Sequence, residues 1–341
     1  MTGLDSAMLR IPYETVVKAL GGLLERLGFT PGRAAQCARL FAETTRDGVY
    51  SHGLNRFPRF VTTVRNGQVN PAGRPELAAA HGALERWDGR RGPGNLNAWE
   101  SMERAMALAR EFGVGCVALA DTNHWMRGGS YGWQAADAGM MAICWTNTMP
   151  NLPPWGAADP RIGNNPLVLA APRAGGPVVL DMAMSQFSYG ALAGYRERGA
   201  QLPVDGGFDG EGRLTRDPAA IEASQRLLPM GYWKGSGLAV LLDMFATLLS
   251  GGRATHQVPA DPVKEAGLSQ VFVAFDPRGL GAGAAAEIAR AADGIVASLG
   301  GVRHPGEQVL RVRAENLAQG LPVDEGLWSR IESGALLSPA I

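Results

Sequence analysis

Cysteine and histidine are scarce in this 341-residue chain. The three cysteines, Cys37, Cys116 and Cys144, lie far apart among mostly apolar neighbours. That spacing builds neither a disulfide framework nor a zinc site, and it marks buried free thiols. The five histidines, His52, His81, His124, His256 and His304, supply no i,i+4 pair and no HExxH, so no metal is expected. Charge is low as well: charged residues are 19%, and 32 Lys+Arg balance 32 Asp+Glu to a net charge of zero. Without a basic footprint, nucleic acid and acidic membrane surfaces are poor partners. No apolar run approaches the roughly 20 residues of a bilayer span, and residues 1–20 lack a basic start followed by an apolar stretch. Neither membrane insertion nor secretion is indicated, and a cytoplasmic location is expected.

Several motifs are also missing. Lys234 precedes both glycines of KGSG, the wrong order for a phosphate-binding GxxxxGK[ST] loop. No GxSxG elbow accompanies a base, which removes support for a serine hydrolase. Gly279, Gly281 and Gly283 superficially suggest a dinucleotide fingerprint, but the third position is Ala286, the run falls late, and no strand ending in an acid follows about 20 residues on.

What is present is a large apolar fraction, 46%, in a chain long enough for two or three subdomains. Residues 48–64, GVYSHGLNRFPRFVTTV, organise the rest. Phe57, Phe60, Val61 and Val64 recur at helical spacing and predict a helix over 55–66 with one stripe in a core. His52, Arg56, Arg59 and Thr63 then share a second stripe, an imidazole beside two guanidiniums. A guanidinium grips a carboxylate through parallel hydrogen bonds and an imidazole hands on a proton, so this trio suits an organic acid. A solvated arginine face capped by Ser51 is the other reading.

Around it, residues 12–27 and 31–47 read as helices, 83–88 as a strand, 95–112 as a helix closed by Gly113, and 115–120 as a strand leading to Asn123 and His124. A helix over 131–138, a strand over 141–145, a Pro- and Gly-rich loop over 149–166, and paired strands over 166–171 and 178–182 follow. Residues 199–231 show no periodicity and read as a long loop. Residues 238–249 are apolar on nearly every side apart from Asp243, which predicts a buried helix. Its entrance, Trp233-Lys234-Gly235-Ser236-Gly237, offers free N–H groups and a cation to a phosphate, or is simply a tight turn. A strand over 271–275 and helices over 283–299, 307–319 and 324–333 complete the chain. The tail helices resemble the N-terminal ones in composition. His124, at a strand end beside Trp125, is a ligand group or a core histidine. Asp181, an acid in an apolar strand, is a structural acid or the partner of a base.

GVYSHGLNRFPRF, NHWMRGGSYGWQAA, CWTN, PPWG, GNNP, LDMAMSQFSYG, QLPVDGGFD and LPMGYWKGSG together resemble the malate/L-lactate dehydrogenase family, over roughly residues 13–335. NHWMRGGSYGWQ and LPMGYWKGSG are particular to a branch that reduces a 2,3-dioxo sugar acid. The resemblance implies a non-Rossmann, mixed α/β (α+β) fold with a largely antiparallel sheet flanked by helices. A helical domain would comprise residues 1–75 plus 302–341, and a cofactor- and substrate-binding domain residues 76–301, in one or two subdomains. It implies NADH-dependent reduction of a 2-oxo acid, with NADPH the alternative cofactor, in a homodimer. His52 is then the proton donor and Arg56 the carboxylate clamp, with Arg59 and His124 at the substrate and Asp181 as a further catalytic group. Cofactor contacts fall on Pro177, Val178, Val179, Leu180, Asp181, Met182 and Ala183, on Trp233 and Lys234, and on Pro305, Gly306 and Glu307. Asn164 departs from the pattern, standing where threonine is usual. Malate, lactate, ureidoglycolate or a cyclic imino acid such as piperideine-2-carboxylate are alternative substrate classes, and a sugar-acid binding protein is the non-enzyme alternative.

Overall fold

The computed structural model describes residues 8–281 and 283–338. The chain opens with β1 (Met8–Ile11), α1 (Tyr13–Arg26) and α2 (Pro31–Arg46), the helices starting after Pro12 and Thr30 as the sequence predicts. Two single 3-10 turns, Tyr50–His52 and Leu54–Arg56, lead into α3 (Phe57–Arg65). The helix expected over 55–66 thus forms, with its first turn 3-10 in geometry. Gly53 lies between the turns with φ −90° and ψ −131°, outside helical space, so His52 and Arg56 belong to different turns.

A seven-stranded sheet follows. Its strands are β2 (Glu76–His81), β3 (Leu84–Asp88), β4 (Val114–Thr122), β5 (Met141–Thr146), β6 (Leu167–Ala171), β7 (Val178–Met182) and, after an excursion, β10 (Leu268–Phe275). The order is β2-β3-β4-β10-β5-β6-β7, with only the β3–β4 pair parallel. Helices α4 (Gly94–Phe112) and α5 (Gly129–Asp137) cover one face, where Met102, Leu119, Tyr131, Val168 and Phe272 are buried. On the other face lie α6 (Tyr189–Glu197), α7 (Pro218–Ser224) and α8 (Trp233–Ser250), over Trp145, Leu192, Ile221, Leu242 and Val271. Between α6 and α7 sits a two-residue ladder of β8 (Gly207–Phe208) and β9 (Leu214–Thr215). The segment 199–231 is thus partly structured, its short elements falling below the length at which periodicity shows.

After α9 (Ala284–Ala297), the tail forms α10 (Glu307–Gln319), β11 (Leu321–Asp324) and α11 (Glu325–Glu332). β11 pairs antiparallel with β1, and Leu321, Val323, Trp328 and Ile331 share a core with Leu20, Leu24, Phe41, Phe57 and Phe60. Both ends of the chain therefore build one hydrophobic cluster, each fully buried large side chain contributing about 1.5–3 kcal/mol. The prediction that α8 is buried all round is corrected. Leu241, Met244, Phe245 and Leu248, at i, i+3, i+4 and i+7, are 49%, 49%, 54% and 68% exposed. Asp243, the exception in that helix, accepts from Asn147 Nδ2 at 2.9 Å and from the Thr255 N–H at 3.0 Å.

The register has one consequence for function. β4 and β5 are both antiparallel to β10, and β7 returns to their direction through β6, so β4, β5 and β7 end at the same edge of the sheet. Three strand ends deliver Asn123–Arg127, Asn147–Thr148 and Asp181–Ala183 to one place.

Candidate active site

At that edge is a cavity of about 220 Å³ whose walls include Ser51, His52, His124, Arg127, Thr148, Asn164, Asp181, Ala183 and Ser188. His52 is presented by the first 3-10 turn. The turn is docked on α2, because Thr45 Oγ1 accepts the Leu54 N–H at 2.9 Å. A Cβ at Gly53 would collide with Thr45 Oγ1, so only glycine permits this approach. Ser51 Oγ is 2.9 Å from His52 Nδ1, which fixes the ring and leaves Nε2 as its working nitrogen. The hydroxyl thus orients the imidazole, where sequence alone offered it as a helix cap.

His124 stacks on His52, ring centroids 5.9 Å apart and planes 21° from parallel. Met126 has φ 64°, a conformation that turns its N–H back to His124 Nδ1 at 3.0 Å. Because Nδ1 accepts that bond it carries no proton, and His124 is held as a neutral ring with its proton on Nε2. Of the two sequence readings, the structure puts His124 in the cavity wall.

His124 and Met126 also border a second, much smaller space, about 20 Å³, walled by Arg56, Arg59, Thr63, Asn123 and Glu265. The stripe of His52, Arg56 and Arg59 survives even though one helix does not carry it. Arg59 donates twice to the Pro262 carbonyl, at 3.1 and 2.7 Å. The Arg56 side chain, by contrast, makes no hydrogen bond or ion pair among the described residues. Burial lowers the Arg56 guanidinium to about 10, with Arg59 acting in the same direction. Burial, then Arg56, Arg127 and Arg59, lower His52 from 6.5 to about 4. His124 is lowered too, first by burial and then by Arg56.

Asp181 Oδ2 accepts the Gly129 N–H at 2.7 Å and faces the cleft. Asp181 is exposed to the cleft, yet the protein packed around its carboxyl raises it above the usual range, against the pull of Arg127 and that N–H. Its hydrogen bond therefore goes to the backbone and not to a histidine. Asn164, the departure from the family pattern, accepts through Oδ1 from Thr148 Oγ1 at 3.1 Å and from Asn151 Nδ2 at 3.0 Å, knitting the 149–166 loop to the wall.

The three segments expected at a cofactor are neighbours. β7 is the edge strand; the Val179 N–H donates to Pro305 O at 3.3 Å, and a Cβ at Gly306 would lie 3.1 Å from Val179 N. At the other end of β7 the Met230 N–H donates to Met184 O at 2.8 Å, which ties the start of α8 to the strand. One end of β7 borders a cavity of about 600 Å³ lined by Gly176, Pro177, Arg173, Leu310 and Arg313, and the other end borders the His52 cavity. The phosphate cradle at α8 is corrected: the N–H groups of Lys234, Gly235 and Ser236 bond to the carbonyls of Gly231, Met230 and Tyr232 at 3.2, 2.9 and 3.2 Å. Trp233 and the Lys234 side chain stay exposed there.

Sequence reading passed over Arg127 and Asp47. Asp47, 3% exposed, receives Arg127 Nη1 at 2.6 Å, Arg313 Nη2 at 2.7 Å and Arg46 Nε at 2.8 Å. Burial alone would raise its carboxyl, but the three guanidiniums hold it far below the usual range. No periodic signal marks an ion cluster drawn from residues 80 and 266 positions away.

A partly buried imidazole and a guanidinium without a hydrogen-bond partner among the described residues share this end of a sheet that has no parallel βαβ units at its centre, an architecture outside the Rossmann design. The family model for malate/L-lactate dehydrogenase matches residues 11–332, and the chain belongs to that family. It is 46% identical over 333 residues to 2,3-diketo-L-gulonate reductase of Citrobacter koseri, covering 95% of this chain and 100% of the relative. Sulfolactate dehydrogenase from Methanocaldococcus jannaschii superposes with a TM-score of 0.88 at 26% identity, over 96% of this chain and 97% of that one. Delta1-piperideine-2-carboxylate reductase from Pseudomonas syringae does so with a TM-score of 0.86 at 27% identity, over 95% and 99%. Family membership implies a nicotinamide cofactor and a small-molecule substrate, and sets aside the non-catalytic binding protein. No helix among the described residues is long and apolar enough to cross a membrane.

Proposed function

We propose that this enzyme reduces the C2 carbonyl of 2,3-diketo-L-gulonate to the 2-hydroxy acid 3-dehydro-L-gulonate, with NADH as the preferred cofactor. The observation that carries the reading is Arg56, a half-buried guanidinium that hydrogen-bonds to no acceptor among the described residues, set beside a cavity that holds the stacked His52–His124 pair. The substrate carboxylate takes the place of the missing acceptor on Arg56, with Arg59 held alongside by Pro262. The C2 oxygen then meets His52 Nε2 and the Nε2–H of His124. A reduced nicotinamide bound along β7 supplies the hydride. His52 supplies the proton, and the carbonyl becomes CH–OH.

In the free protein His52 is neutral at pH 7, because burial and three arginines disfavour its cation. A carboxylate on Arg56 cancels the nearest repulsion, so substrate binding brings the proton that the reaction consumes. Pro177 to Ala183, Trp233, Lys234 and the turn Pro305, Gly306 and Glu307 hold the cofactor in this reading. Residues 1–75 with 302–341 form the helical domain beside the 76–301 domain, and two copies associate in the cytoplasm through the exposed face of α8.

The decisive experiment follows oxidation of NADH and NADPH with freshly ring-opened dehydroascorbate, which contains the 2,3-dioxo acid. Malate, lactate, sulfolactate, ureidoglycolate and piperideine-2-carboxylate, tested in the matching direction, are the competitors. A higher kcat/KM on any of these would replace the proposed substrate.

A further inference from the structure

Arg127 carries a donor that the proposed reaction does not use. It is 4% exposed and lines the His52 cavity, yet its Nε–H has no partner among the described residues. Only Nη1 is engaged, on Asp47 Oδ2 at 2.6 Å. Asp47 already receives Arg313 and Arg46, so one carboxylate serves three cations and cannot saturate Arg127. A guanidinium accepts nothing, so a ligand oxygen is the natural complement of the remaining donor.

The donor is buried at the cavity wall and still lacks an acceptor. A Cβ at Gly129 would lie 3.3 Å from Arg127 Nε and 2.9 Å from Asp181 Oδ2, so glycine there keeps a side chain from crowding the Nε–H. The direction is also defined. Arg56 belongs to the small space on one side of His124, and Arg127 to the larger cavity on the other, with His52 between them. An acid anchored by its carboxylate at Arg56 and presenting C2 to His52 extends its third carbon toward Arg127.

We propose that Arg127 is a specificity-determining residue that donates to an oxygen on C3 of the substrate, selecting 2-oxo acids oxygenated at the third carbon over those with a bare alkyl group. This inference rests on the reductase reading above and narrows it.

The test compares 3-hydroxypyruvate with pyruvate, acids differing by one C3 oxygen, alongside the ring-opened dioxo acid. Arg127→Lys retains a cation for Asp47 and removes the Nε–H. Arg127→Met removes both. Gly129→Ala leaves the Asp47 pair intact and crowds the donor. In each variant the ratio of kcat/KM for hydroxypyruvate to that for pyruvate is expected to fall about 10- to 100-fold, the scale of a hydrogen bond to a charged donor. Calorimetric affinities for glycerate relative to lactate should fall in parallel, a readout independent of turnover. An unchanged ratio in folded Arg127→Lys and Gly129→Ala enzymes overturns the assignment while leaving the reductase reading standing. If the unaltered enzyme reduces none of the three acids with either cofactor, the reductase reading falls and the assignment with it.

Discussion

His52 and His124 face each other ring on ring, 5.9 Å between centroids, and the two imidazoles have unequal capacities. His124 spends Nδ1 on the Met126 N–H and is fixed as a neutral donor, whereas His52 rests against a hydroxyl that serves either tautomer and the cation. The proposed proton transfer therefore falls to His52. His52→Ala is expected to lower kcat roughly 10²- to 10⁴-fold, the usual range for general acid catalysis, with the affinity for NADH nearly unchanged. Steady-state kinetics combined with fluorescence titration of the cofactor checks both halves.

Arg56→Ala acts differently. Loss of the unpaired guanidinium should raise KM for the 2-oxo acid by about 10- to 100-fold, the worth of a charged hydrogen bond. An unchanged KM would assign the carboxylate to Arg59.

The same arginine controls a proton. In the free protein His52 titrates near 4, below its ordinary 6.5, so the unfolded chain binds this proton more readily than the folded one. The histidine accordingly subtracts stability as pH falls from 6.5 toward 4, and subtracts none above that window. NMR titration of the C2 proton should place His52 near 4 and show an upward movement in Arg56→Ala. In pH profiles of reduction, the value governing kcat, with the carboxylate bound, should lie above the value governing kcat/KM.

Asp47 supplies a stability prediction. Asp47→Asn leaves three guanidiniums facing a neutral amide, all three on residues that line a cavity beside the site. Removing one partner of a buried ionic cluster costs roughly 3–5 kcal/mol. The folded carboxyl lies below its ordinary 3.8, so this stabilisation is complete above about pH 4 and disappears as pH falls through the folded value. Urea midpoints measured for both proteins between pH 7 and pH 3 should converge toward the acid end.

The exposed face of α8 predicts self-association. Phe245→Glu or Leu248→Glu should shift the sedimentation coefficient from that of a pair of chains to that of one, while far-UV circular dichroism is retained. If the unaltered chain sediments as a single copy, the proposed homodimer is wrong.

Much of this site is legible in the sequence because its strongest signals are local. His52, Arg56 and Arg59 fall at helical spacing, and α3 is anchored by Phe57, Phe60, Val61 and Val64, all buried as their period predicts. Strand ends with a polar residue after an apolar run, at Asn123 and Asn147, were equally readable. Two things were not. β1 and β11 are short and exist through each other across the length of the chain, and β2 is exposed along its whole length, so their own composition says little. Arg127 looks like any surface arginine until the fold places it over Asp47, 80 residues earlier. The outer face of α8 misled for a different reason: apolar residues signal contact with something, and a single sequence does not say whether that partner lies in the same chain.

The pairing of β1 with β11, together with the bond from Arg313 to Asp47 across 266 positions, has a consequence for biosynthesis. The opening helices cannot complete their apolar cluster, and Asp47 cannot receive its third guanidinium, until α10 and β11 have left the ribosome. During translation the nascent polypeptide carries an unfinished terminal bundle and no working catalyst, so any premature stop before β11 yields a product for proteolysis and not a weakened enzyme.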